Sequence, residues 1–448
     1  MPYIQNTPDD ISEMLAKTGK KSVDDFFKHI PDSIKLKEKL GLPAPLSELE
    51  LLDLLRKTDS NNASMDKFAC FLGAGAYNHF TPAMVEQLAS RGEFYTAYTP
   101  YQAEASQGML QAFFEYQSLV CELTQMDVSN ASHYDGSTAL AESMLIATAQ
   151  TEKKTVLLSS GIHPEYRQVV RTYLQHLDVE VREVPCKNGA TDLAALEKMT
   201  AQYDPACVAF QHPNFFGCLE EPQEIEKIAH KKGALLVAAV DPVSLGILNP
   251  PGSYNADIAI GEAQGLGNDV FFGGPYIGFL TVKNELVRRI PGRLVGQTID
   301  KKGNRAFTLT LQTREQHIRR EKSSSNICSN EGLCALKTTF HLCALGKTGI
   351  KQVAELCCQK AHYLADCISK IKGFSPAYSN PFFKEFTVKC PKPIGEINNA
   401  LLKHNIIGGF DLSRYYPEEK NSMLLCATEK ISKEQMDNFC AVLKQNFA

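Results

Sequence analysis

The chain has 448 residues, 47 Lys and Arg against 51 Asp and Glu, and 14 cysteines. That length calls for a large α/β domain plus smaller lobes, and a nearly balanced charge without a basic block argues against nucleic acid as the main partner. No stretch approaches the roughly twenty apolar residues of a membrane helix and the N-terminus lacks a secretory pattern, so a cytoplasmic protein with reduced, mostly buried thiols is expected.

In chain order, residues 7–57 carry helical spacing, capped by Thr7-Pro8-Asp9-Asp10 and broken at Ile30-Pro31 and around Gly41-Leu42-Pro43. They predict an N-terminal helical arm over 1–65. The run 68–77, FACFLGAGAY, closes on Gly73 and Gly75, and a helix over 102–126 is expected to bury Met109, Phe113, Tyr116 and Val120. Buried strands then alternate with helices: 155–159, 180–184, 207–211, 235–240, 258–260 and 276–281. Such alternation predicts a large, mostly parallel-sheet domain over 66–325. After a boundary at Lys322-Ser323-Ser324-Ser325-Asn326 come a helix over 331–345 and strands near 383–390, 406–410 and 422–427, which predict a compact α+β domain over 326–448. Cys357-Cys358 and the set Cys328, Cys334, His341 and Cys343 match no zinc spacing, so no metal is expected.

Four features fall after successive strands, where open α/β sheets bind ligands. Asp135-Gly136-Ser137-Thr138 precedes a small-residue helix, so Gly136, Ser137 and Thr138 suit a phosphate, although an ordinary N-cap reads the same way. His163 could stack on a flat ring, or be a loop histidine beside a proline. Asn214 could bond a phenolic oxygen, or cap a turn. Asp241 ends the apolar run ALLVAAVD, and a charge there needs a partner: a cofactor nitrogen, or nearby amides and the Ser244 hydroxyl. An acid so placed is what pyridoxal phosphate (PLP) enzymes set against the pyridine nitrogen. Such enzymes also carry a Schiff-base lysine shortly afterwards, yet residues 233–282 contain neither lysine nor arginine. The chain reads as a PLP scaffold unable to tether the cofactor. A separate cluster, Tyr95, Tyr98, Thr99, Tyr101 and Gln102, sets polar-tipped aromatics just before a helix, which suits an interface or site wall as well as half-buried turn tyrosines. The run 313–322, with alternating charge signs, reads as a salt-bridged helix surface, although an arginine there could also meet a carboxylate across a subunit contact.

The segments FLGAGAYNHFTPAMV, YTAYTPYQAEASQGMLQAFFEYQ, NASHYDGSTALAES, HPEYRQVVRTY, HPNFFGCLEE, DPVSLGILNPPG, FFGGPYIGFL and TREQHIRREK with SNIC together resemble the P-protein of the glycine cleavage system, glycine dehydrogenase (decarboxylating). The likeness is to its N-terminal half, a separate chain in the two-subunit bacterial form. The resemblance implies a fold-type I PLP-transferase-like architecture in a heterotetramer of two plus two chains, with PLP held by a lysine of subunit 2. It implies that the complex decarboxylates glycine and passes the aminomethyl group to the lipoyl arm of the H-protein. By position it carries over Tyr95, Tyr98, Thr99, Tyr101 and Gln102, with Asn78 and His79, as residues facing the partner's active site. Gly136, Ser137, Thr138, His163, Asn214 and Asp241 are then a vestigial cofactor pocket. Two other readings stand beside it: an independent PLP enzyme using a distant lysine such as Lys283, and a non-catalytic scaffold or regulatory protein.

Overall fold

In a computed structural model, which describes residues 5–38, 40–95, 100–271, 273–323, 325, 327 and 331–448, the chain divides into two compact units, Met1–Asn62 and Ala63–Ala448. The first holds the helices Pro8–Lys17 and Glu48–Asp59, each opened by a capping box, Thr7 with Asp10 and Ser47 with Glu50. In each box the hydroxyl accepts the third amide of the helix while the acid accepts the cap amide, so two otherwise unpaired donors are satisfied together.

The second unit is built on a seven-stranded sheet: β1 (Val128–Ser129), β2 (Thr155–Ser159), β3 (Glu180–Val184), β4 (Cys207–His212), β5 (Leu235–Val240), β6 (Ile258–Glu262) and β7 (Gly278–Val282). Across the sheet the order is β3-β2-β4-β5-β6-β7-β1. The contacts from β3 through β6 are parallel, whereas β7 is antiparallel to both β6 and β1. Strands β2, β4, β5 and β6 are continuous apolar runs because helices cover both faces of the sheet. One of these, Gly136–Thr151, is buried on nearly every side. Six strands lie where the sequence places them. The reversed direction of β7 carries no such signal; it follows from a connection, residues 263–277, whose described part holds no helix to return the chain for a parallel pairing.

The long helix starts later than its periodicity predicts, at Gln107 rather than 102. Ala103–Ala105 form a 3-10 turn, and the Gln107 side chain bonds both backbone groups of Phe307, tying the helix start to the hairpin Val295–Ile299/Arg305–Leu309. Its apolar face is as expected, with Met109, Phe113, Tyr116 and Val120 buried. The run 313–322 is an exposed surface over 316–322, with a short helix Gln316–Arg319, but departs from the surface expected at two residues: Arg314 is buried and donates to the carbonyls of Ile290 and Gly292, and Glu315 is buried against Arg293.

Helix Gly332–Ser369 leads into the C-terminal part of the unit and is broken at Gly346, where φ is 58° and ψ −172°. Beyond it, Ser375–Pro376, Glu385–Lys389, Ser422–Cys426 and Phe410–Asp411 form an antiparallel sheet in that order. Phe386, Leu425 and Phe439 belong to a hydrophobic core on this sheet, distinct from those under the large one. No helix among the described residues is long and apolar enough to cross a membrane, and every described cysteine is a free thiol.

Candidate functional site

The carboxyl ends of β2, β4, β5 and β6 meet in a cleft lined by His163, Gln211, Asp241 and Glu262, and roofed by Gly75 and Tyr77 from the glycine-rich segment. His163, at the start of helix Pro164–Leu174, accepts the Glu165 amide on Nδ1 and lies 3.1 Å by Nε2 from the Ala74 carbonyl. A ring with one accepting and one donating nitrogen is neutral, and burial pushes its pKa below the ordinary histidine value. Its centroid lies 5.0 Å from the Tyr166 ring and 4.6 Å from Phe215, so ring partners from this chain stand on it. Gln211 fixes the turn by accepting the His163 amide at 2.8 Å.

The Gly136-Ser137-Thr138 turn is an N-cap in which the Asp135 carboxylate accepts the Thr138 amide at 2.7 Å and the Ser137 hydroxyl at 2.8 Å. The Gly136 amide donates to Glu262 at 3.1 Å, and Glu262 also accepts from the amides of Gln264 and Ile277. Burial raises the Glu262 pKa to about 8 even with these donors. A Cβ at residue 136 would strike the Tyr166 hydroxyl.

Asp241 meets a cation from this chain. Lys384, 2% exposed, places Nζ 2.7 Å from Asp241 Oδ2, 3.0 Å from His79 Nε2 and 3.5 Å from the centre of the Tyr77 ring. Burial works against its charge, but Asp241 outweighs that and raises the lysine pKa. The partner expected from sequence was a cofactor nitrogen or local amides with Ser244. Instead the Val243 amide and Lys384 hold the carboxylate, and the Ser244 hydroxyl donates to the Asp241 backbone carbonyl. Because an ammonium has no acceptor, His79 Nε2 must accept from it, which puts the ring proton on Nδ1, 2.7 Å from Glu429. His79, Cys357 and Glu429 converge closely enough to suggest a metal. That chemistry is opposed here, since a metal on Nδ1 would leave an Nε2 proton facing the Lys384 ammonium.

Next to Lys384, Glu385 accepts the Ala74 amide at 2.7 Å and the Tyr77 hydroxyl at 2.8 Å, and burial raises its pKa to about 7. Segment 73–79 is thereby pinned across the cleft mouth. The space left beneath it is about 40 Å³, whereas pockets for small molecules run to roughly 300–1,000 Å³. The residues present do not fit PLP: the polar positions are taken by side chains, the volume is far too small, and residues 233–282 supply no lysine.

The model for the glycine cleavage system P-protein matches residues 1–443. The chain belongs to this family. A probable glycine dehydrogenase (decarboxylating) subunit 1 of Carboxydothermus hydrogenoformans is 52% identical over 99% of both chains, and one of Desulfitobacterium hafniense is 52% identical over 98% of this chain and 99% of its own. A crystal structure of glycine decarboxylase (P-protein), in inhibitor-bound form, superposes with a TM-score of 0.91 at 43% identity, over 99% of this chain and 100% of that one. The fold is the fold-type I architecture of PLP enzymes, shared at 12% identity and a TM-score of 0.67 with the sphingosine-1-phosphate lyase of Burkholderia pseudomallei, over 92% of each chain. Glycine decarboxylation within the glycine cleavage system is thus the activity to which this P-protein chain contributes.

Within that family framework the structure sorts the remaining residues. Asn214 is committed to a turn: its Oδ1 accepts the amides of Phe216 and Cys218, and its Nδ2 donates to Gly189 and Glu220. It has no free group to meet a cofactor. His79, expected at a partner's site, is buried and held by Lys384 and Glu429, while Asn78 is tied to Thr428 and Lys430. Tyr95 and Tyr101 are 58% and 54% exposed, and Gln102 is exposed beside them. The Tyr101 hydroxyl accepts from Arg293 at 2.7 Å. Tyr98 and Thr99 lie outside the described residues. Sequence reading missed Lys384, Glu385 and Glu262. The signal was there for the first two: a Lys-Glu pair inside the apolar run FFKEFTV has to be matched by charge in the fold.

Proposed function

We propose that this chain is the half of a two-subunit glycine decarboxylase that does not hold the cofactor. It acts in the cytoplasm in a heterotetramer of two copies with two copies of subunit 2. PLP on subunit 2 supplies the electron sink that lets carbon dioxide leave glycine, and the aminomethyl group passes to the lipoyl arm of the H-protein. This chain's residues bind and wall: Tyr95, Tyr98, Thr99, Tyr101 and Gln102 present hydroxyl and amide groups to the partner's site and exclude water from it. The observation that carries the reading is the narrow cleft of about 40 Å³ at Asp241, whose carboxylate is already paired with Lys384, in a chain of the P-protein family with no lysine in the segment after Asp241. Glycine-dependent carbon dioxide exchange, measured on this chain, on subunit 2 and on their mixture, tests it. Exchange is expected from the mixture and not from this chain. Exchange by this chain unaided would overturn the proposal.

A further inference from the structure

We propose that this chain is self-liganded: the Glu262 carboxyl supplies the oxygen acceptors that an anion would offer at the start of helix Gly136–Thr151, and Lys384 takes the place of a cation on Asp241, so that the chain's own side chains occupy the cleft. The inference rests on the positions of four groups. Helix N-termini gather unpaired amides and favour oxygen acceptors, and here the amide pointing into the cleft, that of Gly136, is bound by Glu262 Oε2 at 3.1 Å. An acid at the end of a buried strand needs a cation, and Lys384 provides it at 2.7 Å. Tyr166 fills the space between these poles, its hydroxyl against Gly136 and its ring beside His163. The two surrogates come from different sheets. Glu262 ends a strand of the large sheet, whereas Lys384 stands beside strand Glu385–Lys389 of the C-terminal sheet and carries that sheet onto Asp241.

Enzymes of this architecture use a bound cofactor to order the cleft. Here the chain's own ion pair and hydrogen bonds do the ordering, so the subunit offers its partner a finished surface whether or not PLP is present. Lys384 on Asp241 is one of several contacts that hold the C-terminal part on the large sheet, beside the Thr387 hydroxyl on the Phe216 carbonyl and Arg167 on Tyr416, and none of them needs a ligand.

Equilibrium dialysis of the purified full chain against PLP, and separately against inorganic phosphate, tests this without the partner subunit or any activity. The wild type should retain neither ligand, and its thermal midpoint should not move with either. Glu262→Ala frees the Gly136, Gln264 and Ile277 amides, and should bind inorganic phosphate at least about tenfold more tightly than the wild type, with a rise in midpoint as phosphate is added. Retention of PLP or phosphate by the wild type overturns the proposal, and that measurement stands even if the alanine variant does not fold. A folded Glu262→Ala chain that ignores phosphate also overturns it. Failure here leaves the exchange experiment untouched, because dependence on subunit 2 can hold with the cleft open or shut.

Discussion

Lys384→Met keeps the length of the side chain but leaves the Asp241 carboxylate inside the protein without its cation. Breaking one partner of a buried pair costs about 3–5 kcal/mol, so urea titration should show a loss of that order. Adding Asp241→Asn should restore much of it, and a double variant no more stable than Lys384→Met alone would show that the pair is not the source. Glu262 and Glu385 set a pH dependence whose sign follows from their pKa values, raised by burial from 4.5 to about 8 and about 7. The folded state holds these protons more tightly than the unfolded chain. Their contribution is therefore complete below about pH 4.5 and is lost progressively as pH rises from there to about 8, by on the order of 5 kcal/mol for Glu262. Denaturation midpoints of the wild type should decline over that window, and Glu262→Gln should flatten the decline. An unchanged slope would remove Glu262 as its cause.

The break in helix Gly332–Ser369 depends on one residue. Gly346 adopts φ 58° and ψ −172° with open space where a Cβ would stand, so Gly346→Ala meets no clash and pays only for backbone strain. Residues other than glycine occupy that region at a cost of roughly 1–3 kcal/mol, a loss that thermal or urea unfolding would register. A neutral outcome would mean that the helix can straighten through the break. At this scale the sequence is informative where one physical rule dominates. Strands β2, β4, β5 and β6 are legible because burial on both faces demands unbroken apolar runs, and the expected helix ending at residue 345 marks the break. The late start at Gln107 is not legible, because it is decided by that side chain bonding Phe307, some 200 positions away. Within 313–322 only Arg314 and Glu315 depart from the salt-bridged surface expected, for a related reason: the alternating signs look solvated until Arg314 is seen capping the Ile290 and Gly292 carbonyls, while 316–322 are exposed as expected.

For the assembled protein, the tyrosine-rich segment carries the main expectation. Gln102→Ala alters an exposed side chain, so the isolated chain should unfold like the wild type, while exchange by the complex with subunit 2 should fall roughly tenfold or more if that amide positions the reacting group. Wild-type exchange from the variant complex would remove Gln102 from the site wall. The candidate site was partly legible. Asp241, His163 and the Gly136 turn do converge, because the carboxyl ends of successive strands must meet at one edge of the sheet. What the sequence could not reveal is which group answers Asp241, since Lys384 arrives from another sheet. Asn214 kept two readings at the sequence level, a turn cap and a ligand contact, because both use the same atoms.

The shut cleft also bears on how readily this polypeptide could regain independent chemistry. Engineering an amine into the 263–277 loop would give it the missing nucleophile but no room for the aldehyde it should capture. Glu262, Tyr166 and Lys384 would have to be cleared in the same step, and the last of these would strip Asp241 of its counter-ion before any substitute arrived. A gain-of-function screen that samples one position at a time should therefore return colourless protein at every site.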